Sequence, residues 1–268
     1  MIPESAIIEW RETVPWADDA QVEQDLIICR ALTAIYQDDF LSKRLAFRGG
    51  TALHKLYLTP QPRYSEDIDV VQVTPEPISA TIDRLRDVLS FLGEPRVKQK
   101  RSNNTLIFRM ESSMPPVVPI KLKIEINCRE HFHVYDFVTK HFSVKNQWFS
   151  AECNILTYRL DELVGTKVRA LYERRKGRDL FDLFRALQDE RLNTDIVMNC
   201  FLKYMENEGK KPTHTLYTEN MIHKLKNTEF LGDTNNLLRP DTEYDPVASY
   251  EVVKERLIDK LYIKDGLL

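Results

Sequence analysis

GGTALHKLYLTPQPRYSEDIDVV, residues 49–71, opens on two glycines and a threonine and closes on acids that run into an apolar strand. Carboxylates at the mouth of a buried strand are costly unless something cationic meets them. Asp67 and Asp69 stand two apart. In a strand, residues i and i+2 share a face, about 6.6–7 Å apart along the chain. Ile68 and Val70 then point the other way, into a core. Two carboxylates held in this way can grip a hard divalent cation such as Mg2+. The stretch IKLKIEIN, residues 120–127, alternates likewise: Ile120, Leu122, Ile124 and Ile126 form an apolar face, Lys121, Lys123, Glu125 and Asn127 a polar one. Laid beside the first strand, it brings Glu125 to Asp67 and Asp69, and such clusters position metal ions for in-line displacement at phosphorus. The same alternation also fits a plain solvated face. The glycines add a second requirement. Gly49 and Gly50 can take backbone angles closed to other residues and admit a phosphate to the main chain. Thr51 is placed to cap a short helix and to offer a hydroxyl and an N–H to that phosphate.

Outward from this stretch, the chain reads as a mixed front and a helical back. In DDAQVEQDLIICRALTAIYQDD, Val22, Leu26, Cys29, Leu32 and Tyr36 recur at steps of three and four behind a candidate Asp18 cap. LAFRGG is a short strand entering a glycine turn, TALHKLYL a short helix, PQPRYS a proline-constrained loop and IDVVQV a strand. PEPISATIDRLRDVLSFLG predicts one helix stopping at Gly93. RVKQKR, NTLIFRME, IKLKIEIN, FVTKHFSV and ECNILTY are candidate strands. From Leu160 onward the pattern is helical, in RLDELVGTKVRALYERR, GRDLFDLFRALQDE, DIVMNCFLKYMENE and SYEVVKERLIDKLYI, with LGDTNNLLRPDTEYDP a polar connection. The fold class expected is α+β: a mixed sheet with flanking helices over residues 1–158, N-terminal helices included, followed by an all-helical domain over residues 159–268.

The whole chain sets outer bounds. At 268 residues it can bury one large core or two modest ones. Net charge is −3, so nucleic-acid affinity must come from a local basic patch rather than a global field. Cys29, Cys128, Cys153 and Cys200 form no CxxC, which suggests neither a zinc site nor a disulfide framework and points to a reducing, cytoplasmic setting. MIPESAIIEWRE has neither a basic n-region nor an apolar h-region, so no signal peptide is expected, and no apolar run is long enough to span a bilayer.

The glycine pair with a hydroxyl residue, the D-x-D strand and a third acid on a later strand resemble the polymerase-beta-like nucleotidyltransferase superfamily. Together, FRGGTALHKLYL, RYSEDIDVV, KLKIEIN and LVGTKVRALYERRKGRDLFDL resemble its AbiEii/AbiGii toxin branch, over roughly residues 47–187. That resemblance implies an enzyme that moves a nucleotidyl group from an NTP to the 3′ acceptor end of tRNA and so blocks aminoacylation. It also implies Mg2+, a cognate antitoxin and a place in toxin–antitoxin or phage-defence systems. By the same likeness Gly49, Gly50 and Thr51 bind nucleotide, and Asp67, Asp69 and Glu125 hold metal and carry catalysis. The later family motif is a lysine and an arginine, then an R-D pair and a further aspartate. It falls on Lys167, Arg174, Arg178, Asp179 and Asp182, with Lys167 and Asp182 catalytic and Lys167, Arg174 and Arg178 nucleotide-binding. The residue before the lysine, often glutamate in the family, is Thr166 here.

On a helix, Lys167, Leu171 and Arg174 share one face, so Lys167 and Arg174 can together reach a triphosphate and offset charge as pyrophosphate leaves. Gly177 is expected to end that helix. Arg178, Asp179 and Asp182 are spaced to form a network of their own. Ordinary surface ion pairs account for the same spacings. A second basic run, Arg96, Lys98, Lys100 and Arg101, can track an RNA backbone, but it reads first as a solvated edge that discourages strand pairing. His131 and His133 lack a third ligand and are taken as structural. Two alternatives stand beside RNA-directed transfer: the same chemistry on a protein hydroxyl or small molecule, and a non-catalytic nucleotide-binding module.

Overall fold

Residues 2–100 and 103–264 are described by the computed structural model, so Arg101 of the second basic run lies outside the described residues. The chain divides into two compact units, Met1–His131 with Phe137–Tyr158, and Phe132–Asp136 with Arg159–Leu268.

The first unit is built on strands β1 (Leu45–Arg48), β2 (Asp67–Gln72), β3 (Arg96–Gln99), β4 (Asn103–Glu111), β5 (Pro119–Asn127), β6 (Val138–Lys145) and β7 (Ser150–Thr157). They form one mixed sheet in the order β3-β4-β5-β2-β1-β7-β6. β2 runs antiparallel to β1 but parallel to β5, which sets two distant acidic strands side by side. Apolar alternation buries one face, with Ile120, Leu122, Ile124 and Ile126 of β5 and Ile68 and Val70 of β2 all buried. Helix α1 spans Glu4–Arg11, and α2, Asp19–Gln37, packs on β7. The Asp18 carboxylate does cap α2, accepting from the Ala20 N–H at 2.9 Å. Inside, Lys55 Nζ donates to both Asp25 oxygens at 2.6 and 2.7 Å, and Trp10 Nε1 donates to Asp25 Oδ1 at 3.0 Å. This largely buried ion pair ties α2 to α3 (Gly49–Leu56).

One expected helix is shorter than its pattern. α4 covers Ser79–Val88, and Ser90–Leu92 tightens into a 3-10 turn before Gly93 turns the chain with φ +79°. The Leu89 backbone, at φ −101° and ψ 16°, breaks the α-helical hydrogen-bond pattern between them.

The second unit is helical: α5 (Leu160–Glu173), α6 (Gly177–Ala186), α7 (Thr194–Asn207), α8 (His214–Lys224), α9 (Thr228–Gly232), α10 (Pro246–Val253) and α11 (Lys260–Lys264). A π-helical turn, Lys254–Ile258, divides what the sequence presents as one last helix. α5 lies close on α7 because Gly165 leaves room; a Cβ there would stand 2.7 Å from Cys200 Cβ and 2.9 Å from the Val197 carbonyl oxygen. The Glu162 carboxylate, fully buried, accepts from the N–H groups of Val134 and Tyr135 at 2.7 and 2.9 Å and from the Tyr204 hydroxyl at 2.8 Å. It thereby fixes the excursion Phe132–Asp136 within this unit. Among the described residues no helix is long and apolar enough to cross a membrane.

Candidate active site

β1 ends at Arg48, and the chain turns at once into α3. Gly49 makes the turn with φ +77°, a region that favours glycine. Space imposes the same choice: a Cβ at Gly49 would meet Asp69 Oδ2 at 2.3 Å. The Asp69 carboxylate therefore lies against the start of α3, whose first N–H groups have no intrahelical partners. Gly49→Ala is expected to cost about 1–3 kcal/mol through the strained backbone, and to displace Asp69, so that melting midpoint and transfer rate fall together. Gly93→Ala, also at positive φ but with nothing within 4 Å of its added Cβ, should lower the midpoint alone.

Thr51 does not cap this helix. The N-cap is Arg48, with no side-chain cap bond, and Thr51 is the third helical residue. Its buried hydroxyl donates to the Asp67 carbonyl at 2.5 Å and lies 2.7 Å from Ser65 Oγ. The hydroxyl is thus used to pin the start of β2 to α3, which leaves main-chain N–H groups as the donors this turn can offer a phosphate.

The parallel pairing of β2 with β5 sets Asp69 opposite Glu125 and Asp67 opposite Lys123. On the far side of β2, Asp69 faces Arg48 of β1, and Arg48 Nη1 pairs with Glu130 Oε2 at 2.5 Å. Asp67, Asp69 and Glu125 therefore share one face, all partly exposed. Burial, and then the neighbouring Asp69 and Asp67 carboxylates, raise the Glu125 carboxyl above its ordinary value. Lys123 Nζ offsets part of this crowding, lying 3.1 and 3.0 Å from the two Asp67 oxygens. Burial alone would depress the Lys123 ammonium, but attraction to Asp67 outweighs it and raises its pKa. Among the described residues no group of three or more His, Cys, Asp or Glu side chains is gathered closely enough to hold a metal ion. The donor set is nonetheless of hard oxygens with crowded negative charge, which suits a hard divalent cation.

The helical unit holds a second network. Lys167, with its side chain 5% exposed, lies 3.1 Å from Asp179 Oδ1 and 2.7 Å from Asp182 Oδ2, both carboxylates fully buried. Arg174 closes on Asp179 with two bonds, Nε to Oδ2 at 2.6 Å and Nη2 to Oδ1 at 2.8 Å. Burial would raise the Asp179 carboxyl, but Lys167 and Arg174 outweigh it and hold it below the usual carboxylate range. Three expectations need correction. Arg174 does not stand on the helix face of Lys167: α5 ends at Glu173, and Arg174 is extended at φ −121°, ψ 161°. Gly177 does not end α5 but begins α6, where a Cβ would sit 2.0 Å from the Phe230 carbonyl oxygen. The Arg178 guanidinium turns to Asp233, with Nε 3.4 Å from Oδ2, rather than into the Asp179–Asp182 pair. Thr166 donates to the Leu163 carbonyl at 2.7 Å, so the acids around Lys167 come from α6.

A family model described as nucleotidyl transferase AbiEii toxin, type IV toxin–antitoxin system, matches residues 30–251. The chain belongs to that family. It is therefore a nucleotidyltransferase of the toxin type. Its fold is similar to that of MenT4, a nucleotidyltransferase toxin from Mycobacterium tuberculosis, at 15% identity and a TM-score of 0.63 over 96% of this chain and 88% of that one. JHP933 from Helicobacter pylori is similar too, at 15% identity and a TM-score of 0.53 over 94% of this chain and 97% of that one. No curated protein matches this chain at a significant level.

Two cations of the AbiEii sheet were not singled out from sequence, Arg48 and Lys123. Period-two alternation does carry Lys123 onto the acidic face, and only the strand pairing shows that it meets Asp67. His131 and His133 are held by backbone, each Nδ1–H donating to a carbonyl, of Gln72 at 2.8 Å and of Tyr135 at 2.9 Å.

Proposed function

We propose that this AbiEii enzyme transfers a nucleotidyl group from an NTP to the 3′ acceptor end of tRNA, with Mg2+ as cofactor. In a cell this would block aminoacylation and translation in the cytoplasm until a cognate antitoxin neutralises it. The observation that carries the reading is the adjacency of Asp69 and Glu125 beside the glycine turn of α3. Asp67, Asp69 and Glu125 would hold Mg2+, which when bound polarises phosphoryl oxygens and offsets charge on the leaving group. The main chain of Gly49, Gly50 and Thr51 binds triphosphate at the helix start. The acceptor hydroxyl oxygen forms a bond to the α-phosphorus, the bond from that phosphorus to the bridging oxygen breaks, and pyrophosphate departs. Glu125 would bind the metal or help deprotonate the acceptor hydroxyl. In the helical unit, Lys167, Asp179 and Asp182 form a buried base that holds Arg174, and we assign the half-exposed Arg174 guanidinium to phosphate. Arg178 is assigned to the same task more weakly, because Asp233 already engages it.

Incubating the enzyme with each α-labelled NTP, total RNA and cell lysate tests this. Label on tRNA is the expected result; label on protein or on a small molecule favours the alternative acceptors, and none favours a binding module. Mg2+ should also raise the melting midpoint of the free protein. An equal rise in Asp69→Asn would argue against cation binding at this carboxylate.

A further inference from the structure

We propose that the outer part of the acidic face, on β3, β4 and β5, is a platform for the phosphate backbone of the acceptor RNA. This rests on the reading above that the acceptor is RNA. The sequence assigns Arg96, Lys98 and Lys100 to a solvated edge, and β3 is the exposed edge strand of the sheet; the register adds that Arg96 and Lys98 share the face of the carboxylates. Lys98 pairs with Thr105, Thr105 with Glu125, and Glu125 with Asp69. Arg96 pairs with Ile107, Ile107 with Lys123, and Lys123 with Asp67. Residues paired across strands show their side chains on one face. The cations of the edge strand therefore share the face of the carboxylates, and the rows joining them are continuous. Lys100 extends the series, its N–H donating to the Asn103 carbonyl at 2.8 Å, and lies close enough to Glu125 to favour its charged form.

Edge protection does not explain the cations further in. Arg109 of β4 stands directly opposite Lys121 of β5, and both are exposed. Like charges directly opposite destabilise a sheet. A face selected only for solvation would do better with opposite signs. Among the described residues, no carboxylate pairs with Arg96, Lys98, Arg109 or Lys121, while Lys123 is taken by Asp67. The acid sharing this part of the face is Glu111, at the far end opposite Pro119. Strands lie about 4.8 Å apart, which puts Lys98 about 10 Å from Glu125 and about 14 Å from Asp69 across the sheet. A phosphate backbone lying over β3–β5 can thus be neutralised while its end reaches the carboxylates. In a chain of net charge −3, such a stripe is a local, directed attraction.

The test is the triple charge reversal Lys98→Glu, Arg109→Glu, Lys121→Glu in the full chain, with total tRNA as the probe. Binding is measured at several salt concentrations, and single-turnover transfer at limiting and saturating tRNA. The expected result is a loss of affinity of about a hundredfold or more near 0.1 M salt. The slope of log affinity against log salt should flatten by about 2, each lost phosphate contact removing about 0.7–0.9. Rate at saturating tRNA, NTP affinity and melting midpoint should hold. The charge-conserving set Lys98→Arg, Arg109→Lys, Lys121→Arg should behave as wild type. So should Lys43→Glu with Lys145→Glu, exposed cations off this platform. If the reversed variant binds and labels tRNA as the parent does, the platform is refuted and RNA-directed transfer stands. If the parent itself neither binds nor labels RNA, the acceptor reading falls and takes the platform with it.

Discussion

Asp69→Asn is expected to slow nucleotidyl transfer about a thousandfold or more, equivalent to about 4 kcal/mol of transition-state stabilisation, with the fold intact. Asparagine keeps the shape that sits against Gly49, so the tight turn into α3 survives. What is lost is one anionic oxygen donor in register with Glu125, and with it part of the charge that would hold a divalent cation. Stability should move by less than about 1 kcal/mol, since no core cavity and no buried orphan is created. Loss of one of three crowded carboxylates also relieves Glu125. Asp67→Asn is the less clean probe, because it also strips Lys123 of its partner. Single-turnover transfer alongside thermal melting separates the effects. Parental rates in a folded Asp69→Asn protein would remove the metal-holding role from this residue.

Lys167→Ala is expected to destabilise the helical unit by about 3–5 kcal/mol, the usual cost of breaking a buried ion pair from one side. It leaves Asp179 and Asp182, both fully buried, with Arg174 reaching only the first of them among the bonds described. The pH dependence gives a sharper signature. Asp179 has a depressed carboxyl in the folded state, so its contribution to stability is present above the unfolded carboxylate value near 4 and is lost as pH falls through the lower folded value. Without Lys167, Arg174 alone is left to offset the burial of Asp179, so the Asp179 carboxyl rises toward the protonated form. Mild acid should then restore stability to the variant while leaving the parent unchanged or weaker. Melting at pH 7 and pH 5 checks the sign. A variant as stable as the parent at pH 7, or one that does not gain in acid, contradicts the buried-base account. A fall in transfer by this variant reports first on folding, so it must be read against the melting data.

The sheet was legible because its strands alternate strictly. IKLKIEIN buries each of its isoleucines and its leucine, and the same period lifts Glu125 onto the face of Asp67 and Asp69. The parallel pairing of β2 and β5 was less legible, since some fifty residues separate them and alternation says which face a residue takes, not which strand lies beside it. For that reason the basic edge, solvated as expected, was not joined to the acidic face, and Lys123, placed on the polar face, was not matched to Asp67. Helix α8 was hidden for a different reason. Its buried positions His214, Tyr217, Met221 and Lys224 do follow helical steps, but two of the four are polar. Lys224 Nζ is buried against the carbonyls of Leu171 and Tyr172, where it satisfies the open end of α5. Thr51 likewise looks like a cap by residue type, while its hydroxyl is claimed by Asp67 and Ser65, a contact formed by the tertiary fold.

The most direct test of the account uses α-labelled NTP, purified tRNA and the intact protein, with the tRNA carrying either a free 3′-hydroxyl or a 3′-phosphate. The account predicts label joined to the 3′ end of the free-hydroxyl tRNA, released with the terminal nucleotide, and absent both from the blocked tRNA and with Asp69→Asn. Label that persists on blocked tRNA, or that gathers on protein while both tRNAs stay unlabelled, would contradict it.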